Sequence, residues 1–236
     1  MARIATLIAN PRAPVLDDSV LARVRTVLPQ TETPEWLDRD IAADIPFLDT
    51  LDGDNRTWAD RIRAALDGRP VDIVVQPKAH RRKRVFLADM DSTMIGQECI
   101  DELAAEVGLK DKVAEITARA MNGEIAFEPA LRERVALLKG LPISVVDDVI
   151  AKRITLTPGG PELIATMKSK GHYTALVSGG FTVFTSRIAE TLGFDENRAN
   201  ILLEENGILT GFVAEPILGR QAKVDALNDI SEKLGI

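Results

Sequence analysis

Two aspartates follow a short apolar stretch near the middle of the chain, at the point where a buried strand is predicted to end. Residues 85–88 are apolar with a β-branched start, and Asp89 and Asp91 come directly after them, one residue apart. Ligands of open α/β sheets bind beyond the carboxyl ends of the strands, so this position favours a functional site. An aspartate-rich turn that caps the next helix is the alternative, and the pair alone does not decide between the two.

A second strand, predicted over 173–177, opens into a turn with the composition of an anion-binding loop. Ser178, Gly179 and Gly180 stand between this strand and the helix that follows. Backbone N–H groups in such a turn point outward, and the positive end of the helix dipole favours phosphate. Glycine pairs after strands are common, so the turn is weak evidence when it stands alone.

Two basic residues fall on apolar helix faces, where an unpaired charge would be costly. In the helix predicted over 127–139, Arg134 lies in the middle of the apolar stripe that begins at Phe127. In the last helix, predicted over 221–234, Lys223 lies on the apolar face. On the pattern alone, a structural salt bridge or a side chain that extends to solvent is a better explanation than a ligand contact.

These side chains together form a set suited to phosphoryl transfer. Asp89 can attack phosphorus and form an aspartyl-phosphate, and Asp91 can protonate the leaving oxygen and then activate water. A carboxylate that approaches an anionic phosphate needs cations, which gives Mg²⁺ at the two aspartates and the ammonium group of Lys223 a clear role. Ser178 and the amides after it can hold the non-bridging phosphate oxygens.

Length and composition limit the class of protein. A chain of 236 residues with 45% hydrophobic and 28% charged residues can form two compact units with a sizeable core. Its formal net charge of −7 argues against a nucleic-acid binder. The sequence holds no apolar run long enough for a membrane span and no signal-peptide pattern, so we expect a cytoplasmic protein that does not bind membranes.

Cysteine and histidine offer little chemistry in this sequence. The single cysteine, Cys99, excludes an intrachain disulfide and a cysteine-rich metal site, and its helical setting favours a small buried side chain over a nucleophile. His80 adjoins a basic segment, and His172 lies in a predicted turn. Two scattered histidines argue against a histidine-based metal site.

The first 80 residues are predicted to form a small α/β domain of their own. The pattern indicates strands over 3–9 and 71–75, helices over 19–28 and 58–66, and a loop rich in Asp, Pro and Thr between the helices. No catalytic constellation occurs here, so the expected role is regulation, packing or dimer formation, and a homodimer stays open. The basic run at 80–84 is interpreted as a solvated linker that marks the domain boundary.

The remaining residues, 81–236, are predicted to form a larger α/β domain with a helical insertion. Four helices are indicated within about 97–157, after which the strand and turn at 173–180 restore the α/β pattern. Asn206 and Gly207 between two apolar runs predict a hairpin over 200–213, and the final helix follows it.

The motifs named so far resemble those of a known family. They are Asp89-Met90-Asp91-Ser92-Thr93 with Glu98 downstream, Ser178-Gly179-Gly180-Phe181-Thr182, and Lys223 between alanine and valine. They look like the first three motifs of the haloacid dehalogenase superfamily, in the form found in its phosphoserine phosphatases. Their order, their spacing and the helical insertion all agree from about residue 85 to the end, which makes the resemblance far more specific than a lone Asp-x-Asp.

The resemblance implies an α/β core with a Rossmann-like parallel sheet and a helical cap insertion, here preceded by the small N-terminal domain. It implies Mg²⁺ as cofactor, with Asp89 as nucleophile and metal ligand. Asp91 would be the acid/base and would contribute its backbone carbonyl to the metal. The phosphate contacts would come from Ser178, Gly179, Gly180 and Lys223.

The resemblance also implies a substrate. Glu98 and Arg134 would recognise the amino and carboxylate groups of phosphoserine, and Met121 and Phe127 would line the cap. Arg134 and Lys223 then become expected ligand contacts, because bidentate pairing of arginine with a carboxylate suits this substrate. The implied function is Mg²⁺-dependent hydrolysis of O-phospho-L-serine to L-serine and phosphate through an aspartyl-phosphate, the last step of serine biosynthesis.

Two alternatives stay open at this point. One is a phosphatase or phosphotransferase for another small phosphomonoester, which a substrate panel would separate from phosphoserine hydrolysis. The other, from a different class, is an amino-acid-binding regulatory protein whose core has lost catalysis. Tight serine binding without a phosphoenzyme would favour that second alternative.

One departure from the family pattern affects the expected activity. The fourth motif, a Gly-Asp-Gly-x-Asn-Asp loop that supplies a further metal carboxylate, is absent, and Asn228-Asp229 lies inside the last helix without the glycines. The later sheet strands would be missing with it, which would expose a strand edge. We therefore expect a clipped or incompletely ordered form of a longer protein, in which the 236-residue chain itself has little or no activity.

Overall fold

The computed structural model describes residues 1–50 and 53–236. The chain divides into two compact units, Met1–Lys83 and Arg84–Ile236, and each is described by itself. None of the helices in these described ranges combines the length and apolar composition that a membrane crossing needs.

The first unit is a four-stranded antiparallel sheet with two helices. Its elements are β1 (Ala2–Ala9), α1 (Asp18–Arg25), β2 (Glu35–Asp38), β3 (Ala42–Leu48), α2 (Asn55–Leu66) and β4 (Val71–Pro77). The strand order is β2-β3-β1-β4. Each helix begins at an aspartate whose carboxylate accepts a backbone N–H of the first turn, Asp17 for α1 and Asp54 for α2. The core between sheet and helices is fully apolar and includes Phe47, Trp58 and Ile62.

Strands β2 and β3 lie where the sequence pattern predicts a loop, and that prediction is wrong. Strand β3 contains alanines, Asp44 and Pro46, residue types that are uncommon inside strands, so its local signal is weak. The strand is stabilised instead by pairing with β1 along its whole length, from Ala2 opposite Leu48 to Ile8 opposite Ala42.

The basic run at 80–84 is only partly a solvated linker. Arg81 pairs with the carboxylate of Asp44, with Nη2 donating to Oδ1 at 2.8 Å and to Thr6 Oγ1 at 3.2 Å. The Thr6 hydroxyl donates to the same Oδ1 at 2.7 Å. Because the Asp44 carboxylate is only 3% exposed, it needs these partners. The division between the units accordingly follows Lys83 rather than residue 80.

The second unit is built on a parallel sheet of three strands in the order β5-β6-β7. The strands are β5 (Val85–Ala88), β6 (Tyr173–Phe181) and β7 (Glu196–Asn200). Strands β5 and β6 pair in parallel from Val85 opposite Tyr173 to Ala88 opposite Leu176, so their carboxyl ends lie side by side. Strand β7 was not predicted, because Glu-Asn-Arg-Ala-Asn has neither alternation nor β-branched residues.

Helices surround this sheet and form the insertion. The insertion holds α3 (Cys99–Glu106), α4 (Lys110–Met121), α5 (Phe127–Ala136) and α6 (Val145–Arg153); the core holds α7 (Gly160–Ser169), α8 (Thr182–Leu192) and α9 (Arg220–Leu234). The predicted four-helix insertion is therefore present. Its inner face is buried through Leu103, Val113, Leu131 and Val135, which belong to one continuous apolar cluster with the core.

The two chain segments that enter and leave the insertion are joined to each other. Ile95 forms an antiparallel bridge with Leu156, and the Gly96 N–H donates to the Thr155 carbonyl at 3.0 Å. The Gln97 side chain also forms two hydrogen bonds with Thr155, both at 2.9 Å. Its Nε2 donates to the Thr155 hydroxyl, and its Oε1 accepts the Thr155 N–H. We call these segments, residues 94–97 and 154–157, the neck.

The predicted hairpin is confirmed. Strands β8 (Leu202–Glu205) and β9 (Ile208–Val213) are antiparallel and turn at Asn206 and Gly207, which both have positive φ. Such φ values are the ones that a two-residue hairpin turn requires.

Replacing Arg81 by methionine is expected to destabilise the first unit, because the buried Asp44 carboxylate would lose its cation. The expected loss is about 3 kcal/mol of unfolding free energy. Urea unfolding followed by tryptophan fluorescence measures it cleanly, since both tryptophans, Trp36 and Trp58, lie in this unit. The exposed neighbour provides the control, and Arg82→Met should change the free energy by less than about 0.5 kcal/mol. Equal effects of the two substitutions would contradict the assignment.

Candidate active site

Asp89 is the first residue after β5, and both of its carboxylate oxygens are bonded. The Met90 N–H donates to Oδ1 at 2.8 Å, and the Lys223 ammonium group contacts Oδ2. Lys223 reaches this position because α9 packs on the sheet through the buried side chains of Ala226 and Ile230. Of the two structural explanations that the pattern alone leaves open, a salt bridge or extension to solvent, the structure has the salt bridge, because the ammonium group faces the Asp89 carboxylate.

Asp91 lies in a single π-type turn, Met90–Met94. Its Oδ1 accepts the Cys99 N–H at 3.2 Å. Burial raises the pKa of Asp91 to about 6. Cys99 is fully buried as expected, and burial also raises the pKa of its thiol, which keeps it protonated and unreactive.

Glycine at 180 is required by the position of Asp91. A Cβ atom at Gly180 would stand 2.7 Å from Asp91 Oδ2, closer than carbon and oxygen can approach without displacement. Ser178, which is 3% exposed, accepts the Gly180 N–H on its Oγ at 2.9 Å. Strand β6 continues through this turn to Phe181 rather than ending at Val177 as predicted.

Asp89, Asp91 and the Ser178–Gly180 turn line one cavity of about 180 Å³. Its other lining residues come from the insertion or its border and from the turn: Glu98, Ile100, Phe127, Leu131, Arg134 and Phe181. The structure thus brings together nearly all of the sequence-predicted site residues. Lys223 is not part of this lining, but it joins the group through its contact with Asp89. Met121 does not join it, because it lies at the end of α4 with 83% of its surface exposed.

Arg134 is a half-buried guanidinium without a carboxylate partner among residues 1–50 and 53–236. Its Nε donates to the Ala130 carbonyl at 3.2 Å, and Nη1 donates to Thr117 Oγ1 at 3.3 Å. Burial lowers its pKa, and the charges of Asp101 and Glu98 oppose that shift without forming an ion pair. The structural salt bridge considered from the sequence is therefore not formed in the described chain.

Glu98 faces the same cavity from the start of α3. The hydroxyl of Ser92 donates to Glu98 Oε1 at 2.6 Å, and Ser92 itself has a left-handed backbone with φ of 49°. Ser92 belongs to one of the sequence motifs but has no role predicted from the sequence, and neither has Thr117. Neither contact has a sequence signal, because each joins residues whose proximity depends on the folded insertion.

The two aspartates offer oxygen ligands of the kind that Mg²⁺ prefers. No cluster of three or more His, Cys, Asp or Glu side chains suited to a metal occurs in the described part of the chain. Mg²⁺ is commonly bound through one or two carboxylates and completes its shell with substrate phosphate and water. Asp89 and Asp91, which line one cavity, fit that arrangement.

The chain is similar to known proteins both at the level of a family and to individual relatives. Residues 86–236 match the model of the family described as haloacid dehalogenase-like hydrolase. A phosphoserine phosphatase from Archaeoglobus fulgidus is 46% identical over 178 residues, which cover 75% of this chain and 52% of that protein. The chain thus spans about half the length of this curated relative.

Two solved structures are similar to the fold. A haloacid dehalogenase family hydrolase from Salmonella enterica serovar Typhi superposes on 100% of this chain and 80% of its own, with a TM-score of 0.83 at 26% identity. A substrate-bound phosphoserine phosphatase complex shares 43% identity over 66% of this chain and 74% of its own, with a TM-score of 0.61.

Replacing Asp91 by asparagine is expected to stabilise the protein at neutral pH. The pKa of Asp91 rises from 3.8 to about 6 on folding. The protonated carboxyl therefore stabilises the folded state below about pH 4, and this stabilisation is lost as the pH rises to about 6. Asparagine does not ionise and has no such loss. The unfolding free energy of the variant should therefore exceed that of the parent by an amount that grows between about pH 4 and pH 6 and then stays constant at about 3 kcal/mol.

Urea unfolding followed by far-UV circular dichroism across this pH range, in a chelator so that no cation binds, measures the difference. The exposed Asp111→Asn variant is the control and should track the parent at every pH. An Asp91→Asn difference that stays constant with pH would show that burial of the ionised carboxylate is not the cause.

Proposed function

The chain belongs to the haloacid dehalogenase-like hydrolase family, and from that premise we propose that the protein, as its gene encodes it, hydrolyses O-phospho-L-serine to L-serine and phosphate. Phosphatases of this family are generally metal-dependent, and we propose Mg²⁺ as the metal. Relatives that are 42–50% identical over more than half of the chain are phosphoserine phosphatases, which supports this substrate.

The observation that carries the proposal is the unpaired Arg134. A half-buried guanidinium that lines a cavity without an ion pair in the described chain is costly unless a ligand supplies the anion. Glu98 lines the same cavity and offers a carboxylate for an ammonium group. The cavity therefore presents one cation and one anion to the zwitterionic end of an amino acid, while Asp89 and the Ser178 turn remain for its phosphate.

In the proposed reaction, Asp89 attacks phosphorus and the bond from phosphorus to the seryl oxygen breaks. Asp91 donates its proton to that oxygen, which fits a carboxyl whose pKa burial raises to about 6. An aspartyl-phosphate on Asp89 results. Asp91, now ionised, takes a proton from water, the water oxygen attacks phosphorus, and phosphate leaves while the Asp89 carboxylate is restored.

The remaining groups stabilise charge. Lys223, which contacts Asp89, offsets the repulsion between this carboxylate and the incoming phosphate. The Ser178 hydroxyl and the backbone N–H groups of the turn can donate to non-bridging phosphate oxygens. Asp89 and Asp91 would hold Mg²⁺, which when bound supplies positive charge that neutralises and orients the phosphate. The cytoplasmic location expected from the sequence stays a prediction, and a homodimer stays open.

Replacing Asp89 by asparagine should abolish phosphate release from phosphoserine, because the amide cannot act as the nucleophile. The expected fall in kcat is about 10³-fold or more. The measurement uses the protein as its gene encodes it, with Mg²⁺, and Asp111→Asn as the variant that should keep parental activity. The mechanism would be contradicted if the parent showed no Mg²⁺-dependent turnover or if Asp89→Asn kept full activity.

Replacing Arg134 by methionine should weaken the use of phosphoserine far more than that of O-phosphoethanolamine, which lacks the carboxylate. The expected fall in kcat/KM is about 10²-fold for phosphoserine and less than about threefold for phosphoethanolamine. Arg132→Met is the matched control, since Arg132 lies on the same helix and pairs with Glu215 at the surface. An equal loss on both substrates would argue against carboxylate recognition by Arg134.

A further inference from the structure

A buried asparagine lies behind the cavity and takes no part in the chemistry described so far. Asn200 is the last residue of β7 and is only 2% exposed. Its Nδ2 donates to the Gly179 carbonyl at 2.8 Å and to the Leu218 carbonyl at 3.2 Å. Its Oδ1 accepts the Leu218 N–H at 2.7 Å. The side chain thus joins three backbone groups of two separate segments.

The first of these segments is the anion-binding turn. The parallel register between β6 and β7 shifts between Val177 and Phe181, where Phe181 pairs with Asn200. The turn at Ser178–Gly180 therefore departs from the regular ladder, and its backbone groups need other partners. The amide of Asn200 meets that need at the Gly179 carbonyl.

The second segment leads into the helix that carries Lys223. Leu218 directly precedes Gly219, the N-terminal cap of α9, and Lys223 lies in the first turns of that helix. The two segments also pass close to each other, since a Cβ atom added at Gly179 would lie 3.9 Å from the Leu218 carbonyl oxygen. The spacing between the Ser178 turn and the start of α9 is thus set at Asn200.

We propose that Asn200 is a positioning residue that holds the Ser178–Gly180 turn and the start of α9 at the separation at which both contact one phosphate group. This inference rests on the proposed function for the identity of the ligand. Asn200 acts through Gly179 and Leu218 and does not itself contact the phosphate. Without its amide, two carbonyls and one N–H in a partly buried region lose this partner, so both segments must shift to find new ones.

The test compares two leucine substitutions on the same strand. Asn200→Leu removes the amide and keeps the number and branching of the side-chain heavy atoms. Asn197→Leu removes a side-chain hydrogen bond of β7 that goes to Thr185 on α8 instead, away from the cavity. The readouts are the affinity for inorganic phosphate with Mg²⁺, by calorimetry, and kcat/KM for phosphoserine. Both are measured well below the unfolding midpoint of each variant, which circular dichroism supplies.

Asn200→Leu is expected to weaken phosphate binding about tenfold or more and to lower kcat/KM at least as much, as loss of preorganised donors does. Asn197→Leu should stay within about twofold of the parent on both. Because Asn200→Leu can also reduce stability, Asn200→Asp is the second variant: it keeps the shape and the acceptor for the Leu218 N–H but turns both donors into an oxygen that faces two carbonyls.

A double-substitution cycle with Lys223→Met separates positioning from general loss of structure. If Asn200 acts partly through Lys223, the loss caused by Asn200→Asp should be smaller in the Lys223→Met background than in the parent. Variants that unfold more easily yet keep parental phosphate affinity and kcat/KM would overturn the proposal, as would strict additivity with Lys223→Met.

Phosphate binding distinguishes this proposal from the proposed function. If the parent binds phosphate but does not hydrolyse phosphoserine, only the proposed function is contradicted. If the parent binds no phosphate, both proposals are contradicted.

Discussion

The parallel pairing of β5 with β6 is the constraint on which the site depends. Parallel strands end at the same edge of a sheet, so the register that sets Ala88 opposite Leu176 brings Asp89 and the Ser178 turn to one place. Everything else approaches that edge from outside: α9 brings Lys223 along the sheet face, and the insertion brings Glu98 and Arg134 over it. A shift in this one register would separate the nucleophile from the phosphate donors.

Arg134 and Asp91, unlike the paired Lys223 and Asp89, have no ion pair among the described residues. Among the described residues, Lys223 contacts Asp89, while Arg134 is fixed only by neutral oxygens of Ala130 and Thr117. Asp91 is ionised against the effect of its burial once the pH exceeds about 6. Such groups lower the stability of the empty fold and gain their partners when substrate binds, which is the usual relation between a preorganised site and stability.

The sequence predicts the site better than it predicts the sheet. Asp89, Asp91 and Ser178 stand next to strong strand signals, and Lys223 and Arg134 are visible as charges on apolar helix faces. Local pattern therefore singles these residues out, while their expected roles come from the resemblance to the family. Strands β3 and β7 lack that pattern, because alanine, proline and asparagine enter them through pairing with neighbours rather than through their own preference. The contacts of Arg81 and Asn200 were not predicted for a related reason, because their partners are distant in sequence. Arg81 pairs with Asp44, and Asn200 bonds Gly179 and Leu218. Met121 lies outside the cavity because α4 ends with that side chain on its exposed side.

The neck has a consequence for how the second unit folds. Strands β5 and β6 are far apart along the chain, and closing so long a loop slows the pairing of strands. Because Ile95 bridges Leu156 and Gln97 bonds Thr155, the insertion begins and ends at nearly one point. Once its four helices and the neck have formed, the chain between the strands behaves as a short connection. We therefore expect the insertion to fold before β5 pairs with β6, although it lies outside the sheet.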